Sequence, residues 1–425
     1  MRTHRPNRTS LAAVVAVFLI ATTASAGTVE ELEARVAELE AIIDRLVDEQ
    51  QAPPSVAENH VQRGTPTAES NYEFGGYVKL DAIWSDYGNG DLAPTSAGTQ
   101  FYIPATIPVG ATSGEGPDLD LQARETRIHF SSDTVTASGK RLSSYIELDF
   151  FLGAFGDERI SNSYNPRVRH AFFKYNDWLF GQTWSTFQDV AALPENLDFI
   201  GPAESTVFVR QAQVRYTKGP WEFAVENPET TLTPFGGGTR IVTNDGGVPD
   251  LVARYTAAYD DGYIKIAGLL RQLDYDIGGE RDSQAAYGVS VSGKHAVGVN
   301  DIRWMATIGS GTGRYLGLNT ANDGVLDANG NIETVDQWGA FVSYRHPWND
   351  KWRSNLTLGY LDNNHDVTLS GGEVTDTVYS IHANLLYSPI RQITMGGELI
   401  YAKRELENGL DGDMTRLLLS AKYVF

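Results

Sequence analysis

Phe74-Gly75-Gly76-Tyr77-Val78-Lys79-Leu80-Asp81-Ala82-Ile83-Trp84-Ser85 is the stretch that decides the fold. Phe74, Gly76, Val78, Leu80, Ala82 and Trp84 share one face, and Tyr77, Lys79, Asp81 and Ser85 share the other. Successive side chains of a strand point to opposite sides, so this period of two marks a strand with one apolar and one polar face. The pattern recurs. Ile146, Leu148 and Phe150 oppose Tyr145, Glu147 and Asp149, and Tyr379, Ile381, Ala383, Leu385 and Tyr387 oppose Ser380, His382 and Asn384. Apolar faces turned outward to lipid and polar faces turned inward to water are the arrangement of a transmembrane barrel.

The connections give the strand count. Tight links fall at Ser138-Gly139-Lys140, Asn176-Asp177, Lys218-Gly219-Pro220, Asp260-Asp261-Gly262, Val297-Gly298-Val299, Pro347 to Lys351 and Pro389-Ile390. Between them lie longer connections near 88–118, 153–165, 185–205, 228–249, 275–284, 313–334, 363–374 and 404–413. Short and long alternate without a break, which predicts an all-β fold: a 16-stranded antiparallel transmembrane β-barrel of porin type, with both ends on the short-turn side. A soluble sandwich or propeller would not impose that alternation. Trp178, Trp221, Trp348 and Trp352 flank short turns, where an interfacial aromatic girdle is expected. Leu417, Leu419, Ala421, Tyr423 and the terminal Phe425 fall at every second position, similar to the C-terminal signal read by the outer-membrane assembly machinery.

Upstream, the chain changes character. Arg2, Arg5 and Arg8 precede an apolar run from Leu11 to Ile20 and the small residues Ala24-Ser25-Ala26, the grammar of a secretory signal peptide over 1–26. Its removal takes three arginines and no acids, moving the net charge from −20 to −23. So acidic a chain is not held to nucleic acid by counterion release. The chain contains no cysteine, which excludes a disulfide framework and a thiolate metal site. Val29, Leu32, Val36, Leu39, Ile43 and Leu46 are spaced 3-4-3-4-3, a heptad seam that predicts a short N-terminal coiled-coil helix over 27–51. β-branched residues at a with leucine at d favour two strands. Against that, the stretch from Arg35 to Glu40 resembles the Arg-h-x-x-h-Glu pattern of short trimeric coils, in which Arg35 would pair with Glu40 of a neighbour. Residues 52–71, with Pro53-Pro54 and small polar residues, read as a linker to a barrel over 72–425.

Sixteen strands are expected to enclose a water-filled lumen, so function rests on inward charges and on any loop that folds in. Lys79, Arg127, Arg167, Arg169, Arg215, Arg254, Lys265, Arg271 and Arg353 are predicted to face inward and line the pore. Arginine suits carboxylates because its planar fork gives two parallel charge-assisted bonds. The third long connection, Ser185 to Ser205, carries Asp189, Glu195, Asp198 and Glu204. In sixteen-strand porins the loop at this place bends inward, so an acidic constriction loop opposite a basic wall is expected. The plainer reading is that these cations pair with Glu125, Glu147 and Asp149 and bind nothing in particular. The inward set near Arg167 to Ala171 and near Arg210 depends on whether either strand carries a bulge. The histidines lack ligand spacing, and neither a Gly-x-Ser-x-Gly elbow nor a phosphate-cradling loop occurs, so no enzyme, metal or cofactor is predicted.

Several of these stretches together resemble the DcaP-like family of trimeric outer-membrane porins. They are the heptads, Phe74 to Asp81, Arg124-Glu125-Thr126-Arg127, Arg167 to Phe172, and Trp178-Leu179-Phe180-Gly181-Gln182-Thr183-Trp184-Ser185-Thr186-Phe187. The resemblance spans the mature chain. It implies a homotrimer in the outer membrane of a Gram-negative bacterium, among lipid and lipopolysaccharide, with a coiled coil reaching into the periplasm. It also implies uptake of small anionic solutes such as dicarboxylates, with Arg127, Arg167, Arg169 and Arg215 as candidate contacts. Two other readings stand beside it: a general diffusion porin, and a structural barrel that anchors the envelope through its coil.

Overall fold

A computed structural model describes residues 69–110, 113–152 and 161–425. The expected signal peptide, the coiled coil (Val29, Leu32, Arg35, Val36, Leu39, Glu40, Ile43 and Leu46) and all but the last residues of the linker lie outside the described residues.

Sixteen strands form the barrel. They are β1 (Glu69–Tyr87), β2 in two pieces (Asp118–Gln122 and Arg127–Val135), β3 (Arg141–Asp149), β4 (Arg167–Tyr175), β5 (Trp178–Trp184), β6 (Arg210–Lys218), β7 (Trp221–Glu226) and β8 (Asp250–Tyr259). The second half comprises β9 (Gly262–Ile277), β10 (Glu280–Val297), β11 (Asn300–Ser310), β12 (Asp336–Pro347), β13 (Trp352–Asn364), β14 (Thr375–Ile390), β15 (Ile393–Leu406) and β16 (Asp411–Val424). Each strand pairs antiparallel with its neighbours, and β1 closes on β16 from Tyr77↔Val424 to Tyr87↔Met414. Closure leaves no unpaired edge in lipid, which is what permits strands to span a bilayer. A turn from Ala123 to Thr126 interrupts β2, and both of its pieces pair with β1.

The two faces sort as the alternation requires. Val78, Leu80, Leu270, Ile308 and Leu399 are exposed on the outer face, while Lys79, Asp81, Arg271, Thr307 and Glu398 are buried inside. Near the short turns, Trp178 packs on Tyr216, Trp221 on Tyr255 and Trp352 on Tyr387, with ring centroids 4.8, 4.7 and 4.5 Å apart. Each is a directly paired cross-strand couple, worth about 0.5–1.5 kcal/mol beyond its buried area.

Three connections differ from expectation. The segment 275–284 is not a long loop. Gly278 and Gly279, at φ 67° and 92°, make a two-residue hairpin turn, and β9 and β10 pair up to it. Likewise 404–413 shrinks to the four residues 407–410. Above the bilayer both faces of a strand meet water, so the alternation fades and a paired strand reads as a polar loop. The last short turn falls at 391–392, because Pro389 sits at a register shift inside β14 instead of ending it.

Several long loops fold inward and pack against the inner wall. Phe101, Tyr102 and Ile107 of the first long loop pack with Phe151, Ile200 and Ala203 against Tyr87, Ile400 and Met414. A second apolar cluster joins Phe187, Val207, Tyr315 and Leu316 to Val252, Leu269, Phe341 and Val378. Four short strands (Thr230–Thr233, Ile241–Thr243, Gly324–Leu326 and Ile332–Thr334) pair the fourth and sixth long loops over the top.

Candidate functional site

Residues 185–209, between β5 and β6, run along the inside of the barrel and are fastened to almost every strand they pass. Glu226 at the end of β7 accepts from Ser185 Oγ and Thr186 N at 2.7 Å each. Arg254 on β8 donates to the Gln188 carbonyl at 2.6 Å. Lys265 on β9 and Ser292 on β10 donate to Asp189 at 2.6 and 2.9 Å. Arg303 on β11 reaches the Leu193 carbonyl at 2.7 Å. Arg345 and Arg353, on β12 and β13, both grip Glu195, at 2.9 and 2.6 Å. Asn384 on β14 donates to the Glu195 carbonyl at 2.9 Å, and Glu398 on β15 accepts from Leu197 N at 2.5 Å. Lys79 on β1 finishes the sequence at the Leu197 carbonyl, 2.8 Å away.

The seat of the loop's far end is cut by glycine. A Cβ on Gly359 would overlap the Glu204 carboxylate and come within 2.7 Å of Pro202 Cβ and 2.8 Å of Ser205 Oγ. Only a residue without a side chain lets this segment lie against β13.

The opposite part of the wall is organised differently. In β4 the pairing slips between Glu147↔His170 and Leu148↔Val168, so Arg169 is an extra residue in a bulge. The slip turns Arg167, Arg169 and His170 all to the inside, which strict alternation forbids. Arg167 forks onto Asp149 at 2.9 and 2.8 Å. Arg169 bridges Glu147 and Asp149 at 2.7 and 2.9 Å, and Arg127 approaches Glu147 at 3.5 Å. Arg210 lies over the Trp184 ring at 4.5 Å, and among the described residues no carboxylate pairs with it. Lys422 and Arg127 flank the Tyr77 ring at 5.4 and 5.1 Å. None of these cations hydrogen-bonds the loop. Four guanidiniums (Arg127, Arg167, Arg169 and Arg210) meet two carboxylates, leaving two positive charges in excess.

Residues 63–425 match the DcaP outer membrane protein family. The chain belongs to that family. The outer membrane channel DcaP of Acinetobacter baumannii has the same fold at 23% identity, with 84% of this chain and 97% of that chain covered and a TM-score of 0.70. The anion-selective porin from Comamonas acidovorans is 10% identical over 84% of this chain and 100% of that chain, with a TM-score of 0.54. OmpT of Vibrio cholerae in its trimer form is 10% identical over 84% and 99%, with a TM-score of 0.50. No curated protein sequence matches the chain. This DcaP family member is an outer-membrane protein with the fold of a porin-type barrel.

Within this family member the predicted inward residues divide in two. Lys79, Arg254, Lys265 and Arg353 hold the loop, whereas Arg215 donates to the Trp184 carbonyl at the end of β5, at 2.5 Å. Arg271, expected to line the pore, is a correction. Its side chain is fully enclosed and binds Asp323 at 2.6 Å, Asp250 at 3.3 Å and the Gly311 and Glu229 carbonyls, because the fourth and sixth loops fold over it. Of the loop acids, Asp189 and Glu195 touch wall cations directly and do not face them across water. Asp198 accepts from Tyr102 N at 2.9 Å, and Glu204 accepts from Ser380 Oγ at 2.7 Å. Lys422, Arg303 and Arg345 also lie on the inner wall, beyond the residues predicted to face inward. Lys422 shares parity with Ser420, opposite the outward Leu417, Leu419 and Tyr423, so period two was a sufficient signal for it.

The Arg271 clamp can be tested. Asp323→Ala removes the nearer carboxylate from a fully buried guanidinium, which costs about 3 kcal/mol. The folded band on a gel should disappear at a lower temperature than for wild type; an unchanged temperature would show that the clamp carries no stability.

Proposed function

We propose that this channel passes small organic anions, dicarboxylates among them, past the near-side cluster of Arg127, Arg167, Arg169 and Arg210. The observation behind this reading is the division of labour among the cations. Arg254, Lys265, Arg303, Arg345 and Arg353 are engaged by the loop, whereas the near-side group keeps excess positive charge. Arg127 and Arg167 retain side-chain exposures of 18 and 24%. A guanidinium within reach of solvent exchanges a weak water contact for a charge-assisted bond to a passing carboxylate. The extensive pairing of the other cations favours a second reading, a general diffusion porin of slight preference.

The same chain is proposed to act as a homotrimer. β5 and β7 have seven and six residues, fewer than the roughly 9–11 a strand needs to span the hydrocarbon, so a neighbouring subunit covers that low wall. The barrel begins on its short-turn side, which faces the periplasm in outer-membrane barrels. The heptads of 27–51 would then extend into the periplasm and reinforce the trimer. Lipid and lipopolysaccharide surround the apolar band in this reading, and the assembly machinery engages the strand ending at Phe425.

The test is the reversal potential of the purified protein in a planar bilayer under a salt gradient, then with succinate added. Anion preference with succinate blocking or carrying current is the expected result. Cation preference, or a current indifferent to succinate, would leave the general porin.

A further inference from the structure

Beneath the far end of the loop runs a chain of hydrogen bonds that ion pairing alone does not account for. Ser380 Oγ is 2.7 Å from Glu204 Oε1 and 3.0 Å from His382 Nε2, and His382 Nδ1 is 3.2 Å from Glu398 Oε1. Glu204 belongs to the loop, Ser380 and His382 to β14, and Glu398 to β15. All four are at most 1% exposed. Glu398 also accepts from Leu197 N at 2.5 Å and from Asn196 Nδ2 at 3.1 Å. The two ends of one chain therefore grip the loop at two places, 196–197 and 204.

The hydrogens can be counted. A serine hydroxyl has one hydrogen, and an ionised carboxylate only accepts. If Ser380 donates to Glu204, then Nε2 must be an N–H to bond Ser380, and Nδ1 must be an N–H to bond Glu398. The ring is then an imidazolium. If Glu204 instead carries the proton, it donates to Ser380, whose hydrogen turns to Nε2. Both arrangements contain one proton more than a neutral imidazole beside two carboxylates. Without it, one link has two acceptors and no hydrogen, and a buried polar group is left unsatisfied.

We propose that this shared proton latches the loop, with His382 as a positioning residue that sets channel width without touching the solute. The proposal rests on the reading that the loop narrows the channel. The groups around the ring are Glu204 and Asp198 of the loop, Glu398 of β15, and Tyr102 of the first loop, whose ring lies 5.9 Å away edge-on. Arg416 of β16 acts on Asp198 and Tyr102. Carboxylates outnumber cations here, so loss of the proton adds like-charge repulsion to the missing hydrogen bond.

The experiment is single-channel conductance and open-channel noise of the full chain in planar bilayers from about pH 6 to 9, the range in which a histidine-linked proton changes occupancy. Wild-type conductance should rise about twofold, with added noise, as pH increases and the loop loosens. His382→Gln should show the loosened value throughout, with a flat profile. Ser380→Ala removes the link without altering charge and should do the same, so it carries the test if the glutamine variant does not fold. His382→Lys, which keeps a cation, should hold the low conductance across the range. A wild-type profile that is flat, or a glutamine variant that follows wild type, overturns the latch. Anion preference is read separately from the reversal potential: its loss with the pH profile intact sinks the selectivity reading alone.

Discussion

Gly359→Val should raise single-channel conductance about twofold or more, because the loop segment 202–205 can no longer lie against the wall. The new side chain would occupy the place of the Glu204 carboxylate, Pro202 Cβ and Ser205 Oγ. The strand itself has no reason to fail. Gly359 pairs in register with Phe341 and Ser380, and valine suits a strand better than glycine does. The loop, held by side-chain bonds and apolar packing instead of a continuous strand ladder, is the softer partner and must move. Glu195 and Asp189 still tether it, so release is partial and the open channel should be noisier. Conductance and noise equal to wild type, in a variant that keeps its folded band on the gel, would show that the seat does not set the channel's width.

Reversing the near-side charges should change the sign of selectivity. Arg127→Glu combined with Arg167→Glu alters the local charge by four units. A unit charge about 7 Å from the solute path is worth roughly 0.6 kcal/mol at the dielectric of water. Four such charges come to roughly 2 kcal/mol, more than tenfold in anion-to-cation preference. The reversal potential under a salt gradient should cross zero, and succinate should lose its effect on current. The matched control is Lys265→Gln, which removes a cation that the loop already engages through Asp189; it should change selectivity little and noise more. If the double variant keeps the wild-type reversal potential, the near-side cluster does not meet the permeating ions. If the control shifts selectivity as strongly, the division between loop-holding and near-side cations is wrong.

Particular residues show how far the sequence could be read. The face assignments at Lys79, Leu80, Ile146, Glu147, Ile381 and His382 follow from period two, since the constraint is local: one bilayer outside, one polar interior, one residue per side. Turn positions came from the same kind of local signal, and failed where that signal lapses, at Gly278-Gly279 and Pro389. The bulge at Arg169 was legible only as a place where parity could break. Its actual position depends on which of Arg167, Arg169 and His170 finds Glu147, Asp149 and Thr183 across two other strands.

The sequence by itself determined the barrel, its strand number, its inner and outer faces and its aromatic belt, because each is a periodicity imposed by the solvent on either side of a single strand. Only the tertiary structure decided which arginines the loop engages. Glu195 meets Arg345 and Arg353 across 150 and 158 residues of chain, and Glu204 meets Ser380 across 176. Such pairings depend on where an inward loop comes to rest against a closed wall, and no local pattern of residues encodes that distance.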